Sequence, residues 1–180
     1  MTTSSPPASA EPVAEVVQAH TISLIVDNES GVLARVVGLF SGRGYNIESL
    51  TVAAIPNMDD ASRVTIVTSG NRMMVEQIKA QLDRLIPVRR VTDLTIDGPF
   101  VGRELALIKV VGQGEARVEA LRLADAFRAR VVDSTKHSFV FELTGSSRKI
   151  DAFLDLMQEL GLIEVSRTGV AALARGDGAL

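Results

Sequence analysis

The chain carries the same order of secondary-structure patterns twice, and this repeat limits its possible folds more than any other feature. Short runs of β-branched and apolar residues predict strands, and apolar residues spaced by three and four positions predict amphipathic helices. Each repeat has the order strand, helix, strand, strand, helix, strand. The predicted elements are 21–26, 32–40, 47–55, 63–68, 71–85 and 88–94 in the first repeat, and 105–111, 115–128, 131–134, 138–143, 146–160 and 162–167 in the second.

This order of elements predicts the fold class. The first helix shows the pattern well, because one apolar face is formed by Leu33, Val36, Val37 and Phe40. Two such repeats predict an α+β protein with two ferredoxin-like βαββαβ sandwiches in tandem. Each sandwich has a four-stranded antiparallel sheet with two helices on one face. Because the other face of each sheet is left bare, we expect the units to pair within or between chains.

Changes in composition along the chain predict its division into segments. Residues 1–18 contain three of the six prolines and no lysine or arginine, which is typical of neither a secretion signal nor a transit peptide. The stretch from Asp97 to Gly102 reads as a linker. The predicted boundaries are a disordered tail over 1–18, a first domain over 19–96, a linker over 97–103, a second domain over 104–172 and a C-terminal tail over 173–180.

The overall composition excludes several classes of function. The net charge is −3, from 19 basic and 22 acidic residues, which argues against nucleic-acid binding through clustered positive charge. The chain has no cysteine, so disulfides and thiolate metal sites are excluded. No run of 18 apolar residues occurs, and no membrane span is therefore predicted. Since no targeting signal is found either, we expect a cytoplasmic protein.

The sequence contains no constellation of catalytic or metal-binding residues. The two histidines, His20 and His137, have no companion ligands, so both are predicted to be structural or solvated. Asp59–Asp60 is an acidic pair in a predicted loop over 56–60, without further ligands nearby in sequence. Arg89–Arg90 is predicted to supply surface charges. We therefore predict no catalytic residue and no metal site.

The junction between the first strand and the first helix is one candidate binding site. The first N–H groups of a helix lack internal partners and carry partial positive charge, so a carboxylate can dock there. Gly31 has no Cβ to keep a ligand away from the backbone, and the Asn28 amide can bond to either end of a zwitterion. The alternative is structural: Asn28 or Ser30 caps the helix, and Gly31 serves the turn. The residues alone leave both interpretations open.

The segment from Gly42 to Leu50 is the other candidate. A dinucleotide-binding fingerprint needs a third glycine where Ile47 stands, and it must precede a helix rather than follow one. The segment Gly112–Gly114 does not match this fingerprint either, because Arg117 occupies the position of the third glycine. A helix end followed by the start of a strand is the simpler interpretation of Gly42–Leu50.

Two motifs together identify a family resemblance. The run Asp27–Phe40, DNESGVLARVVGLF, and the run Gly44–Val52, GYNIESLTV, closely resemble the small, regulatory subunits of acetolactate synthase (acetohydroxyacid synthase). The resemblance covers roughly residues 20–175 and includes the ending Ser166–Ala171, SRTGVA. The Gly-Tyr-Asn-Ile-Glu-Ser-Leu run is specific to this family, whereas the Asn-Glu-Ser-Gly run occurs in looser form in other ACT domains.

The resemblance implies a regulatory rather than a catalytic chain. The first repeat would be an ACT domain, which binds amino acids and dimerises, and the second would be the C-terminal ferredoxin-like domain of the family. Such subunits bind and activate a catalytic large subunit and confer feedback inhibition by valine in branched-chain amino acid biosynthesis. Thiamine diphosphate, magnesium and FAD are expected on the large subunit, and none on this chain.

The resemblance also implies where the effector binds. The site would lie between two ACT domains of a homodimer. One chain would contribute Asn28, Gly31, Val32 and Leu33, and its partner would contribute Asn46 and Ile47. The alternative function is a stand-alone ACT-domain amino-acid sensor that acts on another partner. A ferredoxin-like enzyme and an RNA-binding domain are weaker alternatives, because acid–base groups and strand aromatics are missing.

Overall fold

The computed structural model describes residues 17–178, so residues 1–16 and 179–180 of the predicted tails lie outside the described residues. Two units follow one another along the chain. The first unit contains β1 (Gln18–Asp27), α1 (Val32–Gly42), β2 (Ser49–Ile55), β3 (Met58–Gly70), α2 (Arg72–Leu82) and β4 (Val88–Asp93). The second unit contains β5 (Phe100–Val111), α3 (Gly114–Phe127), β6 (Arg130–Ser134), β7 (Ser138–Gly145), α4 (Ser147–Gln158), β8 (Leu162–Arg167) and β9 (Ala171–Ala174).

The first unit is a two-layer sandwich. Its antiparallel sheet has the strand order β2-β3-β1-β4. Alternate residues of the central strand β1, Ile22 and Leu24, are fully buried and share one core with Phe40 of α1 and Ile78 of α2. Burial of each such side chain stabilises the fold by about 1.5–3 kcal/mol. The helices therefore cover one face of this sheet, as the pattern predicts.

The second unit repeats this arrangement with the strand order β6-β7-β5-β8. Its core places Phe141 of β7 edge-to-face against Phe153 of α4, with the ring centroids 6.1 Å apart. Such aromatic pairs add to the stabilisation that burial alone provides. The prediction of two ferredoxin-like βαββαβ sandwiches in tandem is confirmed.

The predicted loop over 56–60 is wrong, because most of this segment belongs to a tight hairpin. Ile55 pairs directly with Met58, so only Pro56 and Asn57 form the turn. Asn57 has a φ of 64°, a left-handed conformation that asparagine tolerates better than most residues. Asp59 instead lies in β3, whose first residues are exposed and accept polar side chains.

The predicted linker over 97–103 and the predicted tail over 173–180 are each wrong in part, because some residues of each form strands that pair with one another. Phe100–Arg103 extends β5, and it pairs in antiparallel register with Ala171–Ala174, which forms β9. The Ala-Ala-Leu-Ala sequence has low strand propensity, and its partner is distant in the chain, so local patterns do not reveal the pairing. We call this pair of segments the β5–β9 ribbon.

The segment that leads into β9 is attached to the open face of the first sheet. Thr51 donates a hydrogen bond from its Oγ1 to the carbonyl of Val170 (3.0 Å), and the N–H of Val170 donates to Ser49 Oγ (3.3 Å). Gly169 is buried beside these two side chains. Part of the face that the sequence predicts to be bare is therefore covered from within the chain.

Candidate functional site

The turn between β1 and α1 has the conformation that its glycine permits. Gly31 is the N-cap residue of α1, with a φ of 86°, and its carbonyl accepts the first helical hydrogen bond from Arg35 N at 3.0 Å. A side chain is strained at this φ, whereas glycine is not. No side chain caps α1. The turn role of Gly31 is therefore confirmed, and capping by Asn28 or Ser30 is wrong.

The start of α1 lacks the polar partners that the other helices have. The N-cap side chain of α2, Asn71, accepts a hydrogen bond from Met74 N, and that of α4, Ser146, accepts one from Lys149 N. Helix α3 carries Glu115 in its first turn. Helix α1 has neither a side-chain cap nor an acidic residue there. Its first N–H groups can therefore receive an external carboxylate.

An arginine holds this turn in position. Arg89 of β4 donates from Nε to Asp27 Oδ1 (2.6 Å) and from Nη2 to Asp60 Oδ2 (2.7 Å) and to the Asp60 carbonyl (3.1 Å). The same carbonyl accepts a hydrogen bond from Asn28 N at 2.9 Å. The Arg89 hydrogen bond and charge lower the pKa of Asp60 from its usual value. Arg89 is therefore a positioning residue for the turn, and not only the surface charge that the sequence predicts.

The turn residues differ in what they offer a ligand. Asn28 is exposed, and its Nδ2 makes one long contact of 3.5 Å with the carbonyl of Asp59. Val32 is 4% exposed, and its side chain belongs to the core, so only its backbone N–H can face a ligand. Leu33 is 40% exposed and presents an apolar surface beside the helix start.

Asn46 and Ile47 lie in the segment between α1 and β2. Asn46 is exposed, and its carbonyl accepts a hydrogen bond from Thr68 Oγ1 at 2.6 Å. Ile47 is half-buried against the first core. Helix α1 has 11 residues, a length of about 16 Å, and it separates this segment from Gly31. A single chain therefore does not bring the two predicted halves of the site together.

The two histidines singled out in the sequence each contact a polar side chain of the fold. His20 is fully buried, with its Nδ1 2.7 Å from Asp93 Oδ2, and exposed His137 contacts Gln113. Within residues 17–178, no group of three or more histidine or acidic side chains is placed to hold a metal ion. No helix in the same range has the length and apolar character needed to cross a membrane.

Comparison with known families covers both units. A model of the AHAS small subunit-like ACT domain matches residues 22–90. A model described as the small subunit of acetolactate synthase matches residues 103–176. The two matches together span the turn after β1, the segment before β2 and strand β9.

Individual proteins and a solved structure agree with these matches. The chain is 48% identical to a probable acetolactate synthase small subunit of Archaeoglobus fulgidus, over 88% of this chain and 98% of that protein. It is 46% identical to the acetolactate synthase isozyme 3 small subunit of Escherichia coli, over 87% and 95%. The crystal structure of the small subunit from Thermotoga maritima superposes with a TM-score of 0.79 at 34% identity, over 89% of this chain and 99% of that one. The resemblance seen in the sequence is thus confirmed, and the chain belongs to the acetolactate synthase small-subunit family.

Proposed function

We propose that this chain binds and activates the catalytic large subunit of acetolactate synthase and confers feedback inhibition by valine. Membership of the small-subunit family supports the regulatory role. One observation carries the effector proposal: α1 begins at a left-handed glycine and has no side-chain cap or acid. An effector carboxylate would satisfy the N–H groups at this helix start.

The remaining groups of valine would be held by side chains of two subunits. Its ammonium group would be bound by amide and carbonyl oxygens, including those of Asn28 and the partner's Asn46. Its branched side chain would lie against exposed Leu33 and the partner's Ile47. Because α1 separates Asn28 from Asn46 within one chain, a site that uses both requires a homodimer through the ACT domains.

The chemistry of acetolactate formation would belong entirely to the partner. Thiamine diphosphate, magnesium and FAD would be bound by the large subunit, and valine would be the one small ligand that this regulatory role requires here. The cytoplasmic location expected from the sequence stays a prediction.

Reconstitution tests the proposed role directly. We expect the purified chain alone to form no acetolactate from pyruvate, because its sequence offers no catalytic constellation. Addition of the chain to its large subunit should raise acetolactate formation and make it sensitive to valine, as measured by a colorimetric product assay. Large subunit without this chain is the control. If the chain activates nothing yet binds valine, the alternative of a stand-alone amino-acid sensor is correct.

A mixed dimer tests whether each site is shared. Asn28→Ala and Asn46→Ala should each abolish valine binding in a pure dimer, because each removes a group from both sites. In a dimer of one Asn28→Ala chain and one Asn46→Ala chain, isolated through two different affinity tags, one site carries both substitutions and the other carries none. Calorimetry should then find one bound valine per two chains.

The opposite result would place each site inside one chain. A purified mixed dimer that binds no valine, while both variants keep the thermal midpoint of the unsubstituted protein, contradicts the shared site. It does not affect the proposal that the chain activates the large subunit.

A further inference from the structure

The turn between β1 and α1 is attached to the rest of the first unit at both of its ends. At the helix end, the carbonyl of Gly31 accepts the first hydrogen bond of α1. At the strand end, Asn28 N donates to the carbonyl of Asp60 at 2.9 Å. Residues 28–30, between these two points, are exposed. The position of Asn28 therefore depends on the position of Asp60, which lies near the start of β3.

Arg89 fixes Asp60 and Asp27 at the same time. Its Nη2 donates to the Asp60 carboxylate and to the Asp60 carbonyl, the same carbonyl that holds Asn28. Its Nε donates to the carboxylate of Asp27, the residue that precedes Asn28. One guanidinium thus binds the residue before Asn28 and the residue across the sheet to which Asn28 is hydrogen-bonded.

The side chain of Asn28 is oriented by the same part of β3. Its Nδ2 lies 3.5 Å from the carbonyl of Asp59, next to Asp60 in the chain. This contact turns the NH₂ group of the amide toward β3, so Oδ1 is the atom that can accept a hydrogen bond from an ammonium group. Both the main chain and the side chain of Asn28 are therefore placed by the segment that Arg89 holds.

These contacts depend on the shape of arginine as well as on its charge. A guanidinium is a planar fork with several donors, and it can bind two carboxylates and a carbonyl at once. The ammonium group of a lysine is a single point of charge, so it cannot reproduce this arrangement. Because the Arg89 and Asp60 side chains are 35% and 74% exposed, their ion pair contributes little to global stability. Its effect is local to the turn.

We propose that Arg89 sets the affinity of the chain for its effector by holding Asn28 in the position in which it binds the effector. Arg89 is a positioning residue, because its Nε and Nη2 are already bound to the two aspartates. When Arg89 is absent, the turn must be ordered at the moment of binding, and this cost lowers the affinity. The inference rests on the effector site proposed above.

Two substitutions of Arg89 test this role on the full chain. Arg89→Gln removes both the charge and the fork, whereas Arg89→Lys keeps the charge and removes the fork. Each should weaken valine binding by about tenfold or more, as measured by calorimetry, because each leaves the turn to be ordered on binding. The matched control is Arg130→Gln. Arg130 also donates twice to one carboxylate, that of Glu142, but it lies in β6 of the second unit, so its loss should leave valine affinity unchanged.

Amide hydrogen exchange measured by NMR separates positioning from a general loss of stability. In the absence of valine, the N–H of Asn28 should exchange about tenfold faster in both Arg89 variants, because local opening of the turn requires less free energy. The N–H groups of the buried strand residues Ile22 and Leu24 should keep their protection. Arg130→Gln should change the exchange of neither group.

The outcomes distinguish this inference from the function on which it rests. Equal valine affinity in the unsubstituted chain and in both Arg89 variants overturns the positioning role and leaves the effector site intact. Unchanged affinity in Arg89→Lys alone would show that charge rather than position matters, which also overturns it. So would unchanged exchange at Asn28, because the turn would then be held without Arg89. If the unsubstituted chain binds no valine, the proposed effector function itself fails, and this inference fails with it.

Discussion

Gly31→Asp is expected to make acetolactate synthase reconstituted with this chain nearly insensitive to valine. The substitution adds a carboxylate at the N-terminus of α1, where the effector carboxylate is proposed to bind. Two such charges about 4 Å apart repel by roughly 4 kcal/mol at an effective dielectric constant near 20. Solvent access could halve this to about 2 kcal/mol, which weakens valine binding about 30-fold, since ~1.4 kcal/mol corresponds to tenfold.

The positive φ of Gly31 adds a second effect, backbone strain in any other residue, which must be distinguished from charge repulsion. No atom lies within 4 Å of a Cβ built at this position, so an added side chain has space. The φ of 86° nevertheless strains any residue other than glycine, by about 1–2 kcal/mol. Asparagine and aspartate tolerate the left-handed region better than most residues. Gly31→Asn is therefore a matched control, because it has the same shape and strain without the charge.

The comparison of the two variants gives a clear outcome. Both should fold, activate the large subunit and show similar thermal midpoints. Gly31→Asp should lose far more valine affinity than Gly31→Asn, as measured by calorimetry. It should also lose far more of the valine inhibition of the reconstituted enzyme. Unchanged valine inhibition in folded Gly31→Asp would show that Gly31 serves only the turn and that the effector binds elsewhere.

The local elements of the fold could be predicted because their signals are local. The predicted helices over 71–85 and 146–160 are found as α2 and α4. They begin directly after Asn71 and Ser146, polar residues whose side chains cap them. Strand β8 has the predicted bounds, 162–167. Strand β9 could not be predicted, because its pairing with Phe100–Arg103 joins residues that are distant in sequence.

The spacing of apolar residues in α1 predicts that the helix has a buried face, but it does not predict every residue on that face. The spacing predicts a face that contains Leu33, whereas the residues of α1 that are buried are Val32, Val36 and Phe40. The apolar stripe of α1 is wider than the core requires, so the sequence alone cannot say which edge of it faces solvent. The exposed edge is the one that carries Leu33, and this makes Leu33 available to an effector.

The part of the candidate site that one continuous segment forms could be predicted from the sequence. The part that depends on which strands pair, and in which register, could not. The turn at Gly31 can be recognised from strand, glycine and helix in succession. The role of Arg89 depends on the pairing of β4 and β3 with β1, which brings Arg89, Asp27 and Asp60 together. No local pattern marks a residue that acts through such cross-strand contacts.

The largest loss of stability is expected from Gly161→Ala, between α4 and β8. Gly161 has a φ of 94°, and a Cβ at this position would stand 2.0 Å from the carbonyl oxygen of Val111. The carbonyl of Gly161 also accepts a hydrogen bond from Val111 N at 2.9 Å. The backbone of one segment must therefore move away from the other, which weakens the connection of β8 to β5.

Substitution of a second glycine of the same unit, Gly114, is a control that has the backbone strain without the clash. Gly114 also has a left-handed φ, 58°, but no atom lies within 4 Å of a Cβ built there. Gly114→Ala should cost only the strain of about 1–2 kcal/mol. Gly161→Ala adds the clash with a main-chain atom, and we expect a total of roughly 3 kcal/mol or more. In a domain of this size, each 1 kcal/mol lowers the thermal midpoint by about 4–8 °C. Calorimetric scans of both variants should therefore differ by several degrees or more, and equal midpoints would show that the close approach of Gly161 to Val111 contributes nothing to stability.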